Sequence, residues 1–307
     1  MELIRGFNGL SDRRRGCVVT IGTFDGVHLG HQALLSRLAE HGARLGRATM
    51  VLTFEPMPRE YLSCGDGPAR LTSLRERWRV LDRMHVDVVW LLRFGELLRN
   101  LSGEAFTDFL ARELRAPAVV VGHDFRFGRN GEATAETLLG AGRRHGFDVE
   151  VVPPVTLDGE RVSSSAVRSA LARGDFAQAG RWLGRPYTMV GRVIGGNRLG
   201  RQLGFPTANL RLERRRSPLE GIFAVRAHGV DREPLPGVAS LGRRPTVAGQ
   251  RKLLEVHVFD FSADLYGRQI EVEFVAKLRD EAHFPDLEAL VAQMRRDAQA
   301  ARTILGI

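Results

Sequence analysis

Two histidines stand three residues apart directly after the first strand-like run of the chain. His28 and His31 close the segment GTFDGVHLGH, residues 22–31, and a helical pattern follows. A turn between a strand and a helix suits phosphate, because the N–H groups and dipole of the helix point at it. Both imidazoles can face one phosphate, although a helix cap beside a surface histidine is the alternative interpretation. The phosphate-binding residues expected here are Gly22, Asp25, His28, Gly30 and His31.

A second segment is dense in glycine and ends in Pro-Thr-Ala-Asn. Residues 191–209 read GRVIGGNRLGRQLGFPTAN and include Gly195 and Gly200. Glycine permits positive φ and a close approach of the backbone to phosphate oxygens. Taken alone, however, such a segment is more typical of a turn between strands that ends in a capped asparagine.

The elements that would position the histidines alternate between strands and helices. Strand-like apolar runs occur at residues 17–21, 49–54, 86–92, 118–122 and 149–152. Amphipathic helical patterns occur at residues 32–45, 73–84, 103–114, 132–144, 165–172 and 176–183. This alternation is typical of βαβ units, so we predict a parallel sheet with helices on its faces.

The pattern changes after Gly184-Arg185-Pro186. Strand-like runs without helices between them follow at residues 187–194, 222–228, 253–261 and 269–277. Turn residues separate these runs, which predicts an antiparallel β-barrel. A last helical pattern covers residues 287–305. We therefore predict two domains, 1–185 and 186–307.

Charge and composition argue against several classes of function. The formal net charge is +9, but the arginines are scattered and the lysines are limited to Lys252 and Lys277. We therefore expect no nucleic-acid partner, and phosphate chemistry must proceed without a P-loop lysine. No run approaches the ~20 apolar residues of a membrane span, and the first residues lack the apolar core of a signal peptide. We expect a cytoplasmic protein without a membrane partner.

The first half resembles a known family of transferases. The segment at residues 22–31 is similar to the H-x-G-H signature of the nucleotidyltransferase superfamily. More closely, it resembles the FMN adenylyltransferase module of bacterial bifunctional riboflavin kinase/FAD synthetases. Further blocks of that module are matched by residues 53–58 (with Met57 where His is usual), 70–76, 121–128 and 162–168 (with Ser165 where Thr is commoner).

The second half resembles the kinase module of the same family. Residues 206–209 are similar to the P-T-A-N signature of riboflavin kinases. The blocks that complete the match are residues 218–225, 237–246 (with Ser240 in place of the usual Asn), 254–257 and 264–267. The resemblance covers nearly the whole chain in the family's order.

This resemblance implies both a fold and a pair of reactions. The fold would be a doubly wound, parallel-sheet α/β nucleotidyltransferase domain (Rossmann-like), followed by a six-stranded riboflavin-kinase β-barrel with a C-terminal helix. The reactions would be phosphorylation of riboflavin to FMN and adenylyl transfer from ATP to FMN, giving FAD and pyrophosphate. The substrates would be riboflavin, FMN and ATP, with Mg²⁺ as the metal.

For adenylyl transfer, the resemblance implies residues that stabilise charge on the α-phosphate of ATP. The nucleophile, the FMN phosphate, is already anionic, so no general base is needed. His28 and His31 would donate to the phosphate oxygens. The triphosphate would be held by Ser164, Ser165 and Arg168 near a helix start, and a Mg²⁺ would bridge the phosphates.

The flavin side of this site is implied by the resemblance alone. Asp124 and Phe125 occupy the matching positions. Core packing is the alternative interpretation of Phe125, and Met57 receives no role.

For the kinase, the resemblance implies that Thr207 and Asn209 hold Mg²⁺ and the ATP phosphates. Glu255 matches the family's catalytic base, although a carboxylate on an alternating strand more often faces solvent. Arg279 resembles an arginine that closes over ATP and flavin. These assignments predict a second site, separate from the histidines.

Two other functions compete with this interpretation. Another H-x-G-H cytidylyl- or adenylyltransferase would leave the Pro-Thr-Ala-Asn half unexplained. A basic RNA-binding or flavin-sensing regulatory protein would not need its catalytic residues intact, and they are: His28, His31, Thr207, Asn209 and Glu255. We therefore expect an ATP- and Mg-dependent transferase with both activities.

Overall fold

The computed structural model describes residues 1–7, 10–64, 66–195, 200, 203–214, 216–246 and 249–307. The chain forms two compact units, each built from two stretches of sequence. The first comprises Met1–Pro68 and Arg77–Val162, and the second comprises Ala69–Glu76 and Ser163–Ile307. Part of the glycine-dense segment predicted to bind phosphate, residues 196–199, 201 and 202, lies outside the described residues.

A parallel sheet is the framework of the first unit. The strands of this unit are β1 (Glu2–Arg5), β2 (Val18–Ile21), β3 (Thr49–Phe54), β4 (Val88–Leu92), β5 (Ala118–Gly122), β6 (Arg126–Phe127), β7 (Ala133–Thr134), β8 (Asp148–Val152), β9 (Thr156–Leu157) and β10 (Glu160–Arg161). Six of them form one all-parallel sheet in the order β1-β4-β3-β2-β5-β8. Strands β2 and β4 are buried at every position, as expected for a parallel sheet covered on both faces. The predicted parallel sheet is confirmed, and β1 is an addition that the pattern did not predict.

Helices cover both faces of this sheet. The helices described up to residue 162 are α1 (Leu29–Leu45), α2 (Pro58–Leu62), α3 (Leu74–Arg83), α4 (Glu96–Asn100), α5 (Gly103–Asp108) and α6 (Ala135–His145). Alternate strand residues point to opposite faces, so Val19 and Trp90 join one core while Val18 and Val120 join another. Helices α4, α5 and α6 contribute to the first core, and α1 and α3 contribute to the second. The sheet therefore gives its strand ends a rigid support on both sides.

The point where the strand order reverses lies beside β2. From β2 the chain proceeds outward through β3 and β4 in one direction, and through β5 and β8 in the other. In doubly wound sheets, ligands bind at the carboxyl ends of the strands at such a point. Helix α1 begins at Leu29, three residues earlier than predicted, so that His31 lies in its first turn. The predicted doubly wound fold is confirmed, and it places the histidine segment at this reversal.

The second unit is a closed barrel with helices. Its elements are α7 (Ser164–Ala172), α8 (Phe176–Leu183), β11 (Thr188–Ile194), β12 (Ala208–Leu212), β13 (Gly221–His228), β14 (Leu235–Thr246), β15 (Gly249–Val258), β16 (Gln269–Arg279) and α9 (Leu287–Leu305). The six strands pair antiparallel in the order β11-β12-β15-β14-β13-β16. Helix α9 packs Ala301 against Ala224 and Phe259 of the barrel. The six-stranded barrel and the C-terminal helix are confirmed.

Residues 69–76 complete the second unit through a buried polar cluster. Glu76 forms an ion pair with Arg214, whose side chain is fully buried. The second carboxylate oxygen of Glu76 accepts from the backbone N–H of Val190 at 2.6 Å, and the Tyr187 hydroxyl donates to the Leu71 carbonyl at 3.0 Å. The compact units thus differ from the predicted domains in where residues 69–76, α7 and α8 fall. A functional boundary near residue 185 stays a prediction.

No helix among the described residues combines the length and the apolar character that a membrane crossing requires.

Candidate functional site

The segment that carries the two histidines is a strained loop at the carboxyl end of β2. Phe24 and Val27 adopt positive φ, 50° and 43°, although neither is glycine, and both side chains are fully buried. Such backbone conformations cost about 1–3 kcal/mol each and persist only where the surroundings impose them, which is typical of functional sites. A Cβ at Gly22 would lie 3.2 Å from the Phe24 ring, so glycine fits the turn at this position. Asp25 is buried within the loop.

The structure brings the two histidine side chains into contact. Their rings stack with centroids 3.8 Å apart and planes 22° apart. His28 is the N-cap residue of α1, so it stands where the helix presents its first N–H groups. A Cβ at Gly30 would lie 3.1 Å from ring atoms of His28, which explains glycine between the two histidines. The two rings therefore lie side by side at the start of α1, and the expectation that both face one phosphate stays a prediction.

His31 is held in its neutral form. Burial lowers the pKa of His31 well below its ordinary value, and the neighbouring His28 and the Arg77 cation lower this pKa further. The Nδ1 atom of His31 is buried and has no hydrogen-bond partner among the described residues. Buried polar atoms are nearly always paired in native proteins. The ring therefore retains hydrogen-bonding capacity that a bound ligand would satisfy.

Arg77 supports the histidine loop from behind, a contact that the sequence pattern did not predict. Its guanidinium is fully buried and donates to the Thr23 carbonyl at 2.5 Å and to the Thr53 hydroxyl at 3.3 Å. It also pairs with Glu55 at 3.4 Å. Arginine in an amphipathic helical pattern is normally expected to face solvent. Thr53 and Glu55 belong to the block at residues 53–58, so this block meets the loop through Arg77.

The two residues predicted on the flavin side follow the neighbouring strand β5. Because β2 and β5 are adjacent and parallel, their carboxyl ends lie at the same edge of the sheet. Asp124 is exposed and pairs with Arg161 at 2.5 Å. Phe125 is half-buried and stacks on Phe127 with centroids 5.4 Å apart, so it both packs against the core and presents an edge to solvent. The flavin-side role that the resemblance implies for Asp124 and Phe125 stays a prediction.

The predicted triphosphate residues lie at the start of α7, in the second unit. The N-cap residue Ser163 accepts from the Ala166 N–H at 3.1 Å, which orders the first turn of the helix. Ser164 is half-buried and Ser165 is exposed. The Arg168 Nε atom donates to the Ala69 carbonyl at 2.6 Å. The assignment of Ser164, Ser165 and Arg168 to the same phosphate site as the histidines stays a prediction.

The predicted kinase residues form a row across the barrel. Asn209 on β12 lies directly opposite Glu255 on β15, and Glu255 lies directly opposite Ser240 on β14. Ser240 pairs with Ile222 on β13, which pairs with Arg279 on β16. Directly paired residues project from the same face of a sheet. The register therefore gathers residues far apart in sequence onto one face.

A cavity of about 630 Å³ opens over this row. Pockets of about 300–1,000 Å³ are typical of small-molecule sites. The cavity is lined by Gly200, Thr207, Ser240, Glu255, His257, Arg279, Phe284 and by residues of α9. Asn209, 9% exposed, is buried beside Glu255. The predicted Thr207, Glu255 and Arg279 thus meet at one cavity.

The two glycines predicted to bind phosphate differ in their surroundings. The Gly200 carbonyl accepts from the Phe205 N–H at 2.7 Å, and a Cβ at Gly200 would lie 3.4 Å from the Thr207 hydroxyl oxygen. Gly195 follows β11, and a Cβ there would meet no atom within 4 Å. Packing thus favours glycine at position 200, and the phosphate role of both Gly195 and Gly200 stays a prediction.

Asp297 of α9 binds Arg279 at the edge of the cavity. The Arg279 Nη2 atom donates to Asp297 Oδ2 at 2.7 Å, and its Nε atom contacts both carboxylate oxygens, at 3.0 and 3.1 Å. Asp297 also accepts from Gln293 at 2.8 Å. Sequence reasoning missed Asp297, since an aspartate within a helical pattern is normally expected on the solvent face.

Both halves of the chain match known protein families. The family model described as FAD synthetase matches residues 10–166, and the model described as riboflavin kinase matches residues 183–305. The bifunctional riboflavin kinase/FMN adenylyltransferase of Escherichia coli (strain K12) is 46% identical over 309 residues, covering 100% of this chain and 99% of that one. The enzyme of the same name from Pseudomonas fluorescens is 47% identical over 306 residues, covering 99% and 98%. A solved structure named as a macrolide-efflux protein from Streptococcus pneumoniae matches with a TM-score of 0.80 and 30% identity over 98% of both chains.

Proposed function

We propose that the two reactions of this chain, which belongs to the family of bifunctional riboflavin kinases/FMN adenylyltransferases, occur at two separate sites. The chain is a transferase that makes FMN from riboflavin and FAD from FMN. In our proposal the barrel cavity phosphorylates riboflavin, and the histidine loop at the end of β2 serves adenylyl transfer. The observation that best supports this division is that Thr207 and Glu255 line one cavity of the barrel, with Asn209 beside them.

Glu255 is the proposed base of the kinase reaction. The 5′ hydroxyl of riboflavin is neutral and therefore a weak nucleophile. As its oxygen bonds to the γ-phosphorus of ATP and the bond to the β-phosphate oxygen breaks, the Glu255 carboxylate takes the hydroxyl proton and ADP leaves. Glu255 lies on strand β15, with strand partners on both sides, so its backbone is rigid. Such a support keeps the carboxylate in place as the substrate changes.

Thr207 and Asn209 fit a Mg²⁺ ion. A hydroxyl and an amide oxygen are hard donors, and Mg²⁺ is commonly held by few protein ligands, with phosphate oxygens and water completing its shell. The substrate phosphates and water would supply the remaining ligands. When bound, the ion would offset negative charge on the ATP phosphates.

His28 and His31 are the proposed donors of the adenylyl reaction. The FMN phosphate attacks the α-phosphorus of ATP, pyrophosphate leaves, and no proton has to be removed from the nucleophile. A neutral His31 can donate one N–H to an α-phosphate oxygen, and His28 stacks against it at 3.8 Å. The other residues that we assign to this reaction are Gly22, Asp25 and Gly30 for phosphate, Ser164, Ser165 and Arg168 for the triphosphate, and Asp124 and Phe125 for the flavin.

One incubation tests the proposed function. The purified protein is mixed with riboflavin and Mg-ATP, and the flavins are separated by chromatography at successive times. We expect FMN to appear first and FAD to follow, and a sample without ATP to remain riboflavin. A second incubation that starts from FMN should yield FAD directly. Riboflavin that stays unchanged would contradict the kinase assignment, and would favour a flavin-sensing protein that binds without converting.

Two further expectations stay predictions. They are the cytoplasmic location and the absence of a nucleic-acid partner.

A further inference from the structure

Helix α9 contributes one carboxylate to the barrel cavity. Asp297 lines the cavity together with Arg279, and its side chain is only 7% exposed. Both carboxylate oxygens contact the guanidinium, at 2.7 to 3.1 Å. The Gln293 amide, one turn earlier on α9, donates to Asp297 Oδ1 at 2.8 Å and fixes the carboxylate in turn. The pair is therefore a rigid, mostly buried contact between α9 and β16.

This pairing leaves part of the guanidinium available to a ligand. Arginine has five N–H donors. Asp297 binds one on Nε and one on Nη2, while the Asp280 carbonyl accepts one from Nη1 at 2.9 Å. Two donors, one on each terminal nitrogen, have no partner among the residues that the structure describes. The Phe284 ring lies against the guanidinium, 5.6 Å from centroid to Cζ, and limits its rotation.

The position of Arg279 in the barrel places it at the end of the row that holds the proposed base. Its strand partner is Ile222, and the row continues through Ser240 to Glu255. Without Asp297, the long arginine side chain would have several rotamers of similar energy, at a side-chain entropy of up to about 2 kcal/mol. Fixed by the carboxylate, it presents a constant geometry to the cavity.

We propose that Asp297 is a positioning residue for riboflavin phosphorylation, which holds the Arg279 guanidinium so that its two remaining N–H donors meet a phosphate of ATP. The inference rests on the proposed kinase function of this cavity. Preorganised donors act on charge that develops in the transition state, so their misplacement lowers kcat more than it raises KM. Asp297 itself acts through Arg279, without contact to the substrate.

A second Arg–Asp pair between α9 and the barrel offers a matched control. Arg302 of α9 contacts both carboxylate oxygens of Asp260 at 3.1 Å and lies over the Phe259 ring. Neither Arg302 nor Asp260 lines the cavity. Asp260→Asn thus makes the same chemical change to the docking of α9 as Asp297→Asn, away from the site.

The experiment compares full-length wild type with Asp297→Asn, Asp297→Glu, Arg279→Gln, Asp260→Asn and the double variant Asp297→Asn/Arg279→Gln. Each is assayed for FMN formation from riboflavin, for FAD formation from added FMN, and for its thermal midpoint. We expect Asp297→Asn to lose about 10- to 100-fold in kcat for FMN formation, because misplacement by about 1 Å can cost about 10²-fold. FAD formation and Asp260→Asn should stay within about twofold of wild type.

The double variant distinguishes a role of Asp297 in positioning Arg279 from a role only in holding α9 on the barrel. If Asp297 acts through Arg279, adding Asp297→Asn to Arg279→Gln changes FMN formation by less than about twofold, since residues that act as one unit are not additive. Asp297→Glu keeps the charge of the helix. Its kcat for FMN formation should fall about tenfold even if Asp297→Asn folds poorly. Three outcomes would each overturn the proposal. The losses in FMN formation of the two single variants could multiply in the double variant, Asp260→Asn could lose as much FMN formation as Asp297→Asn, or Asp297→Asn could retain full activity. A wild-type protein that makes no FMN would instead overturn the kinase function.

Discussion

Replacement of Glu255 by glutamine tests the central assignment of the kinase site. Glutamine keeps the size of the side chain and a hydrogen-bonding oxygen, but it cannot accept the riboflavin hydroxyl proton. Glu255 lies between Asn209 and Ser240 on the adjacent strands, so the substitution replaces one polar group among polar neighbours and the barrel should retain its stability. The expected effect is therefore confined to chemistry.

The magnitude follows from the work of a general base. A positioned base contributes about 10²–10⁴-fold, which corresponds to about 3–5 kcal/mol of the barrier. We expect Glu255→Gln to lower kcat for FMN formation by that factor. Binding of ATP should change little, because Thr207, Asn209 and the metal would carry it.

The assay follows both products in one protein. Riboflavin with Mg-ATP measures the kinase, and added FMN with Mg-ATP measures adenylyl transfer, which should stay within about twofold of wild type because it uses other residues. A thermal midpoint near that of wild type shows that the barrel is folded. Normal FMN formation by Glu255→Gln would refute the base assignment and would leave positioning and charge stabilisation to account for the rate.

Three further predictions concern the other parts of the molecule. His28→Ala should slow FAD formation by about 10²–10³-fold, the usual loss of one transition-state donor, with FMN formation nearly unchanged; an equal loss in both reactions would indicate a structural role. Because the folded-state pKa of His31 is depressed, the unfolded chain binds the proton more readily, so stability should fall as pH drops below about 6.5 towards the folded-state pKa. His31→Asn should flatten this dependence in thermal unfolding measured between pH 5 and pH 8, and an unchanged slope would contradict it. Glu76→Gln should destabilise the second unit by about 3–5 kcal/mol in urea unfolding, since it leaves the buried Arg214 charge without its ionised partner, and Glu76→Gln/Arg214→Met should recover part of that loss.

The parallel sheet was predictable because its strands are continuous runs of apolar residues. Strands β2 and β4 are buried on both faces, so nearly every residue in them must be apolar. In contrast, β12 has five residues and β14 contains Pro236, Gly237 and Ser240, which are typical of turns. Neither strand was apparent from the pattern, and the count of six strands came from the resemblance to riboflavin kinases.

The same distinction applies to the candidate sites: features within one helix turn were predictable, and buried charged contacts were not. The spacing of His28 and His31 is a local property of one helix turn, so their contact was predictable. Arg77 and Asp297 lie in amphipathic helical patterns, where a charged residue is normally expected to face solvent, and only the packing shows that both are buried at a site. The positive φ of Phe24 and Val27 was equally hidden, because the residue types favour other conformations.

The two transfers that we assign to this chain place opposite demands on their sites, and the described residues differ accordingly. Riboflavin presents a neutral hydroxyl, so the barrel needs a carboxylate near the reacting oxygen, and Glu255 lines its cavity. FMN presents a phosphate that is already anionic, so the adenylyl site needs no base and instead needs donors for the charge that develops on the α-phosphate. The stacked His28 and His31, with the Arg77 cation behind their loop, provide donors and positive charge. The first reaction gains from a base and the second does not, so each set of residues suits its own nucleophile.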